Sequence, residues 1–485
     1  MLRNFNVRVQ PKVRFLEEEQ LDEIHQATLE ILERTGIVVH EKETLELLEG
    51  AGCSISEKNW VRIPPHLVEE ALRSVAKRCT LSYRNGARLL FLEDRKSYWG
   101  TGSDTPYILD AYTGQRRQTS LRDVEQVSRL VDGLENLDFL MCMGVAHELS
   151  QDIADKHHFV SMVSNTVKPL VFTASSRENL KDIYEMACMV AGSEEKLQQN
   201  MFIAHYTEPI SPLIHPKDSL EKLLFCLDKN IPVIYTSATT LSQNGPATMA
   251  GALALSTARI VSGIVIGQLK RKGARMIVTL HASAMDPRSA IHPYASPEHV
   301  IAQAAAKDIA SYYGLPTWGR AGCTESKVLD QQAGFEAGYE ILMQALSGEN
   351  LIHDVGYMES GLTASWDSIV MCNEFIGAAK RVVDGFDMNE ETLALKVIDQ
   401  AGPSGHFLTD PHTVKHFRKE TWIPRLLDRN NFQNWEAEGK TTLFDRVNRR
   451  VKEILDTHQP EPLDEKMVRE LRKIADKDNT REKRE

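Results

Sequence analysis

The apolar positions of the central chain recur with a regular rhythm. Between residues 98 and 359, eight short apolar runs each precede a stretch with helical spacing, and most runs end in polar residues. Strand-length apolar runs that alternate with helices are typical of parallel βαβ units. Eight such units predict an α/β fold of the (β/α)8 TIM-barrel class, whose active sites lie at the carboxyl ends of the strands. The runs occupy residues 98–104, 139–148, 168–175, 201–208, 231–240, 275–285, 315–325 and 350–359.

The two ends of the chain do not follow this rhythm. Residues 16–34 have helical apolar spacing, and Pro64 and Pro65 open a second amphipathic segment. After residue 384 short helical and loop patterns mix, and residues 465–475 predict a last helix before a charged end that we expect to fray. We therefore divide the chain into a helical N-terminal cap (1–95), a barrel (96–384) and a mixed helical C-terminal extension that packs on the barrel (385–485).

Composition narrows the class of protein. The net charge of −11 argues against a nucleic-acid partner, because phosphate binding needs a basic face. The seven cysteines form no CxxC-type pair, which favours reduced thiols. Residues 247–268 come closest to a membrane span, but they contain Arg259, and the N-terminus lacks the apolar core of a signal peptide. We expect a cytoplasmic homo-oligomer with no membrane partner.

The ends of the apolar runs supply the candidates for chemistry. One polar residue at a strand end is more often a hydrogen-bonded structural residue than a functional one, so the argument depends on many such residues meeting at one mouth. The candidates are Ser103, Asp104, His147, Glu148, Thr173, Ser175, His205, Tyr206, Glu208, Tyr235, Ser237, His281, Ser283, Arg320, Thr324, Glu325, His353, Tyr357 and Glu359.

Standard catalytic motifs do not account for this set. The sequence has no GxGxxG after a strand and no GxxxxGK[ST], HExxH or GxSxG. His157 and His158 are adjacent on a predicted helix and point in different directions, so we expect no metal site. Asp410 and His412 begin like the DxHxxG signature of corrinoid-binding modules, but Lys415 replaces the glycine. We interpret Asp410 as a helix cap and expect no tightly bound cofactor.

Two neighbouring segments, residues 318–339 and 351–362, are distinctive, and they point to a family together with residues 405–429. The chain resembles the trimethylamine methyltransferase family, specifically its members without pyrrolysine, over nearly its whole length. The stretches that carry the resemblance are Ser326-Lys327 with Asp330, Gln332-Ala333-Gly334 and Glu336, Glu359-Ser360-Gly361-Leu362, Gly405-His406-Phe407-Leu408, His412-Thr413, Arg418, Trp422, Pro424 and Arg429.

The resemblance implies a TIM barrel that moves a methyl group from a methylated amine to Co(I) of a corrinoid (cobalamin) carried by a separate, cognate protein. Members without pyrrolysine are similar to glycine betaine:corrinoid methyltransferases. A methyltransferase of methylamine metabolism, in methanogenesis or acetogenesis, is therefore the expected class, with a quaternary amine as substrate and a tertiary amine such as dimethylglycine as product.

The candidate residues fit this chemistry. A quaternary ammonium leaves as a neutral amine, so the enzyme mainly orients the N–CH₃ bond and excludes water. Aromatic faces bind such a cation, and a betaine carboxylate needs charge-assisted donors. Arg320 is the leading carboxylate ligand, although a salt bridge to Glu325, Glu359 or Asp104 is an open alternative. We assign substrate binding to Arg320, Tyr107, Asp104, His205, Tyr206, Tyr235, His281, Trp318 and Tyr357, and catalysis to Glu359 and His353.

Two other functions stay open. The first is a barrel lyase or aldolase that uses a Schiff-base lysine, for which Lys327 is the candidate near a late strand end. The second is a non-catalytic betaine-binding protein.

Overall fold

The N-terminal residues form helices and strands in alternation. The computed structural model describes residues 5–236 and 239–477. Helices contain most of the residues in the elements of this region, and short stretches between them pair as strands that the expected helical cap did not include. The elements are β1 (Asn6–Val9), α1 (Glu18–Glu30), a π-helical turn (Ile31–Thr35), β2 (Ile37–Val39), α2 (Lys42–Gly50), β3 (Ser54–Ile55), β4 (Trp60–Arg62), α3 (Pro65–Ser74), β5 (Cys79–Ser82) and β6 (Leu89–Leu92).

The central residues alternate between short strands and longer helices. The elements are β7 (Tyr98–Trp99), β8 (Tyr107–Leu109), β9 (Arg116–Gln118), α4 (Leu121–Asp132), β10 (Leu140–Met141), α5 (Gln151–Asn165), β11 (Leu170–Phe172), α6 (Arg177–Ala191), α7 (Glu194–Gln199), β12 (Ile203–Thr207), β13 (Ile214–His215), α8 (Lys217–Asp228), β14 (Val233–Tyr235), β15 (Thr239–Thr240), α9 (Met249–Lys270), β16 (Met276–Val278), β17 (Ala282–Ser283), α10 (Pro297–Tyr312), β18 (Trp318–Arg320), α11 (Gln331–Ser347), β19 (Leu351–His353), β20 (Tyr357–Met358), a 3-10 turn (Glu359–Gly361), β21 (Thr363–Ser365) and α12 (Trp366–Asp384).

Each of the eight apolar runs contains a parallel strand. β10, β11, β12, β14 and β16 form one sheet in that order, and β18, β19 and β7 form a second. Single parallel bridges, Gly100 to Phe139 and Val278 to Thr317, connect neighbouring runs of the two sheets. Each run consequently has a parallel neighbour on both sides, which confirms the prediction of an α/β fold built on βαβ units.

The register of these strands separates two sets of side chains. His205, Val233 and Met276 lie side by side, as do Tyr206, Ile234 and Ile277 one position later. The Met276 sulfur lies against Gly267 of α9, so its set faces the helices. Tyr206 instead meets Trp318 of the second sheet, with ring centroids 6.0 Å apart. Its set therefore faces the space between the two sheets.

Three C-terminal elements contact earlier parts of the chain. β22 pairs antiparallel with β1, α16 packs against α4 and α12, and α17 packs against α5 and α6. The last helix coincides with the predicted residues 465–475, while residues 478–485 of the expected frayed end lie outside the described residues. The elements are β22 (Phe386–Asn389), α13 (Leu395–Ala401), α14 (Pro411–Glu420), α15 (Phe432–Ala437), α16 (Leu443–Thr457) and α17 (Glu465–Ala475).

Helix α9 is the apolar segment that comes closest to a membrane span. By length and composition it could cross a bilayer, but 78% of its most apolar 18-residue window is buried inside the protein. Arg259 lies fully buried within it and donates to the Thr239 hydroxyl at 3.0 Å. This helix is consequently a core helix of the fold.

Candidate functional site

Aromatic rings cluster where the inward-facing residues of the two sheets meet. The Trp318 ring stacks on His353 with centroids 4.2 Å apart, and Phe139 and Tyr206 flank it at 5.6 and 6.0 Å. Tyr206 and His353 lie near the carboxyl ends of β12 and β19, whereas Trp318 begins β18 and pairs with Leu351, two residues before His353. Such flat faces can attract an organic cation.

Three carboxyl groups line the same region. Asp104 and Glu208 keep solvent-accessible surface, yet desolvation by the surrounding protein raises the pKa of both carboxyls. Accessible surface combined with a pKa raised by desolvation is typical of carboxyls that line a cavity with an opening to solvent. Burial also raises the pKa of Asp354 to about 7, where the charge of Arg320 lowers it and that of Asp104 raises it. The site therefore favours a bound positive charge.

The side chains of Asp354 and His353 are complementary in hydrogen bonding when both are neutral. The His353 Nδ1–H donates to the Gly319 carbonyl at 2.6 Å, and burial lowers the pKa of the imidazole to about 3. The unprotonated Nε2 lies 3.3 Å from Asp354 Oδ1. A protonated Asp354 can therefore donate to His353, whereas an ionised Asp354 faces a lone pair.

The backbone around Asp354 is tightly constrained. Asp104 and Asp354 both have left-handed φ angles, 64° and 69°, a conformation that costs non-glycine residues on the order of 1 kcal/mol or more. A Cβ added at Gly102 would overlap Asp354 Oδ1 and approach the Tyr357 ring to 2.5 Å. The Tyr357 hydroxyl donates to the Ser103 carbonyl. The contact between Asp354 and Gly102 holds the Asp354 carboxyl, which follows β19, against the segment that follows β7.

Arg320 is buried at the end of β18, beneath the ring of Tyr294. Its guanidinium carbon lies 3.7 Å from the Tyr294 centroid, and its Nη2 donates to the Tyr294 carbonyl at 3.2 Å. Gln303 fixes the Arg320 backbone through bonds of 2.7 and 2.9 Å. Within residues 5–236 and 239–477, no carboxylate lies within 4 Å of the guanidinium, so the alternative of a direct salt bridge is wrong.

Three histidines stand beside Arg320 with unpartnered nitrogens. His299 has its ring centroid 5.1 Å from that of His281 and 6.2 Å from that of His292. Over the part of the chain that the structure describes, the buried nitrogens without a partner in this cluster are His281 Nδ1, His292 Nε2, both nitrogens of His299, and Arg320 Nε. Burial and the nearby guanidinium lower the pKa of all three imidazoles. Unpaired buried polar atoms are costly, so this cluster fits a polar or anionic ligand.

The site thus has an acidic, aromatic side next to a side lined by arginine and histidine. The profile of the family described as trimethylamine methyltransferase matches residues 2–482. The chain belongs to the trimethylamine methyltransferase family.

The relatives within this family of methyltransferases span nearly the whole chain. The chain is 31% identical over 460 residues to trimethylamine methyltransferase MttB of Desulfitobacterium hafniense (strain DSM 10664 / DCB-2), covering 95% of this chain and 92% of the relative. It is 28% identical over 459 residues to glycine betaine methyltransferase of D. hafniense strain Y51, covering 94% and 95%. The monomethylamine methyltransferase MtmB of Methanosarcina barkeri has a similar fold, with a TM-score of 0.55, 11% identity, and coverage of 92% and 88%.

Two residues that the sequence analysis assigned to substrate binding face the surrounding helices instead of the site. Tyr235 is fully buried, its hydroxyl lies 2.6 Å from His215 Nδ1, and a Cβ at Gly263 of α9 would overlap its ring. His205 lies against Phe172, 5.1 Å between centroids, on the same helix-facing side. The assignments of His205 and Tyr235 to the substrate are therefore corrected, because both residues pack between strands and helices.

Glu359 and Tyr107 lie in a separate contact group. Arg116 Nε donates to Glu359 at 2.9 Å, and its guanidinium carbon covers the Tyr107 ring at 3.6 Å. The Thr363 hydroxyl also donates to Glu359, at 2.6 Å. One face of Tyr107 is thus already occupied by a cation, and the Glu359 carboxylate is already paired. The described contacts do not link either residue to His353.

Lys327 and Asp410 make structural contacts, and the strand-end candidate Ser237 lies outside the described residues. Lys327 is exposed and donates to the Glu325 carbonyl at 2.7 Å. Asp410 caps α14 by accepting the His412 N–H at 2.8 Å, as predicted, and the His412 ring lies tilted beside that of His416, with centroids 4.3 Å apart. Over the described residues no group of three or more potential ligands could hold a metal ion. All seven cysteines are free thiols.

Sequence reasoning assigned no substrate-binding or catalytic role to several residues of this site. Asp354 follows the predicted His353 directly, and Glu208 stood among the strand-end candidates, so their positions were the available signal. His292 and Tyr294 lie in an irregular segment after β17, where no periodic pattern marks them. A loop that folds over a strand end is set by tertiary contacts, here the Glu325 carboxylate that accepts the Tyr294 N–H at 2.6 Å.

Proposed function

We propose that this protein transfers a methyl group from a small quaternary amine, with glycine betaine as the leading candidate, to Co(I) of a corrinoid on a separate partner protein. The product is a tertiary amine such as dimethylglycine. The observation that carries the proposal is the two-sided site, with acids and rings on one side and Arg320 with histidines on the other.

The acidic side suits a trimethylammonium group. Tyr206 keeps a partly exposed ring, which the buried Trp318 ring supports, and Asp104, Glu208 and Asp354 supply negative charge nearby. A quaternary nitrogen has no N–H to donate, so rings and longer-range charge are the interactions available to it. These groups would orient one N–CH₃ bond and stabilise the cation without proton transfer.

The other side suits a carboxylate. Among the described residues, the Arg320 Nε–H is a buried donor without a partner, His281 Nδ1 is a buried ring nitrogen without one that donates in one of its two tautomers, and His292 and His299 extend the cluster. A carboxylate with two oxygens could accept from such donors. Carboxylate and ammonium groups at opposite ends of one small molecule would then match the two sides of the site.

The corrinoid supplies the nucleophilic Co(I) that accepts the methyl group. The chain's own corrinoid-like segment fits poorly with holding that cofactor, because Asp410 is committed as a helix cap and His412 packs beside His416. A cognate partner protein that carries the corrinoid therefore belongs to the proposal. The chain's residues contribute binding, orientation and exclusion of water.

Two structural details complete the proposal. The neighbour-to-neighbour pairing of all eight runs supports a closed (β/α)8 barrel, with the site at its carboxyl end. Free thiols and the burial of α9 support a cytoplasmic location.

Methylation of free cob(I)alamin, followed by visible absorbance, tests this function. We expect glycine betaine, proline betaine or carnitine to be demethylated once, while dimethylglycine is not used. Trimethylamine should react far more slowly, because loss of a methyl group from the neutral amine would release a dimethylamide anion unless the nitrogen is protonated or otherwise activated. Equal rates with trimethylamine would contradict the quaternary-amine assignment. Tight betaine binding without any methyl transfer would favour a binding protein instead, and borohydride trapping at a lysine would favour the lyase.

A further inference from the structure

One carboxylate joins two loops that lie close to Arg320. Glu325, which follows β18, accepts the Tyr294 N–H at 2.6 Å through Oε1, and its Oε2 accepts a hydrogen bond from the Ser360 hydroxyl. Tyr294 belongs to residues 284–296, here called the mouth loop, which connect β17 to α10. Ser360 lies at the tip of the hairpin between β20 and β21. Glu325 therefore links two loops that are far apart in the sequence.

The backbone of Glu325 is anchored on α11. Glu336 of this helix accepts the Glu325 N–H at 2.8 Å and the Thr324 hydroxyl at 2.6 Å. Gln332, one turn earlier on the same helix, donates to the other oxygen of Glu336 at 2.9 Å. Hydrogen bonds to an ionised carboxylate are about twice as strong as neutral ones. Glu325 consequently has a fixed position from which it can hold both loops.

Much of the mouth loop is open to solvent. Residues 287–291 are all exposed. The turn that contains them closes on itself, because the Asp286 N–H donates to the Ile291 carbonyl at 2.9 Å and the Ala290 N–H to the Asp286 carbonyl at 2.8 Å. Segments with few buried contacts open locally at a low cost in free energy. The charge-assisted bond at Tyr294 should therefore have a large effect on how long the loop stays over the site.

Tyr294 is the residue through which the mouth loop contacts Arg320. Its ring covers the guanidinium at 3.7 Å, and its carbonyl accepts from Arg320 Nη2 at 3.2 Å. A Cβ added at Gly361 of the hairpin would come within 2.9 Å of the Tyr294 ring, so the hairpin packs directly against that ring. The N–H that Glu325 accepts, the ring and the carbonyl all belong to one residue. A shift at the N–H would therefore displace both contacts to Arg320.

The backbone of Arg320 is held by a separate contact. The Gln303 side chain accepts the Arg320 N–H at 2.7 Å and donates to the Arg320 carbonyl at 2.9 Å. Loss of the Glu325 side chain should therefore leave β18 in place and release only the mouth loop and the guanidinium. Among the described residues, the buried Nε–H of that guanidinium has no partner, so its direction matters to a ligand that accepts from it.

We propose that Glu325 is a positioning residue for carboxylate recognition. It holds Tyr294 over Arg320, and Tyr294 fixes the guanidinium in the orientation that presents its Nε–H to the substrate. The inference rests on the proposed function, in which Arg320 binds the carboxylate of a betaine. A donor that is oriented before the ligand arrives loses less conformational freedom on binding.

Hydrogen exchange of the mouth loop, followed by mass spectrometry, tests the link without any substrate. Glu325→Ala removes a charge-assisted bond and should raise the exchange rate of residues 290–296 roughly 10-fold or more. Glu325→Gln should restore slow exchange, because its amide oxygen can accept the Tyr294 N–H and its NH₂ can donate to Ser360 Oγ. Glu298→Ala removes an exposed carboxylate from the first turn of α10 and is the matched control, which should leave the rate unchanged.

Calorimetric binding of glycine betaine and of tetramethylammonium measures the consequence for recognition. Glu325→Ala should weaken the Kd for glycine betaine roughly 10-fold. It should change the Kd for tetramethylammonium, which lacks a carboxylate, by less than about 2-fold. Glu325→Gln should bind both ligands as the unmodified protein does. General damage to the fold would instead weaken both ligands equally.

The outcomes separate this inference from the proposed function. Unchanged exchange of the mouth loop in Glu325→Ala, or equal weakening of both ligands, would overturn the positioning role. So would a Glu325→Gln variant that behaves like Glu325→Ala. An unmodified protein that binds neither ligand and methylates no corrinoid would contradict the proposed function, and hydrogen exchange would still decide whether Glu325 holds the loop.

Discussion

Replacement of Asp354 by asparagine should separate stability from function. The Asp354 carboxyl is buried between His353 and Gly102, and its pKa lies near 7 instead of its ordinary value of 3.8. Asparagine keeps the shape of the side chain, and its amide N–H can donate to His353 Nε2 as the protonated carboxyl does. The substitution therefore removes the charge with little change in geometry.

The two pKa values determine the effect of pH on stability. Between pH 4 and pH 7 the folded protein keeps a proton on Asp354 that the unfolded chain has lost, so the free energy of unfolding falls as pH rises. The difference between 3.8 and about 7 corresponds to about 4 kcal/mol at pH 8. Asp354→Asn lacks this loss. We expect the variant to be more stable than the parent at pH 8 and equally stable near pH 3.

The same carboxyl should strengthen substrate binding once it is ionised. A charge pair about 5 Å apart at an effective dielectric constant of 20 contributes about 3 kcal/mol, or roughly 100-fold in Kd. The Kd of the unmodified protein for glycine betaine should therefore decrease as pH rises through 7. Asp354→Asn should bind about 100-fold more weakly at pH 8 and show no such step.

Calorimetric titration at pH 5.5, 7 and 8.5, with urea unfolding at the same pH values, measures both effects. Asp456→Asn, an exposed position on α16, is the matched control and should change neither quantity. A Kd that is constant over this pH range in the parent, together with unchanged binding by Asp354→Asn, would refute the reasoning.

Three further predictions concern neighbouring groups. Trp318→Leu removes the ring between Tyr206 and His353 and should weaken the Kd for quaternary amines roughly 3- to 30-fold, measured by calorimetry; an unchanged Kd would contradict a cation–π role. Arg320→Met should reduce kcat/KM for glycine betaine far more than for tetramethylammonium, and an equal reduction would exclude carboxylate binding by Arg320. Gly102→Ala should displace Asp354, cost about 1–3 kcal/mol by urea unfolding and abolish the pH step in Kd; a retained step would mean that the carboxyl had not moved.

The sequence predicted site residues where the position at the end of an apolar run was enough to identify them. Arg320, His353, Tyr206 and Asp104 were proposed because they lie at or near the ends of apolar runs, and parallel strands bring their carboxyl ends together. The division into cap, barrel and extension stays a prediction.

The sequence could not predict which strand residues face the site and which face the surrounding helices. His205 and Tyr206 are adjacent, yet one packs against helices and the other faces the site. Strands buried on both faces are apolar on both faces, so the alternation that usually identifies the inner face is missing. Glu359 and Tyr107 both contact Arg116, which lies nine residues after Tyr107 on the paired strand β9 but 243 residues before Glu359, so only the fold shows that the Glu359 carboxylate is already paired.

The sequence by itself determined that the chain folds as βαβ units, where its strands end, and which family it resembles, because local periodicity and short motifs are properties of neighbouring residues. Tertiary structure alone decided which strand-end side chains face one another. It also placed His292 and Tyr294 over Arg320 and gave Asp354 a pKa near 7. Burial and the electrostatic environment depend on residues far apart in the chain, and their positions are set only when the whole core is packed.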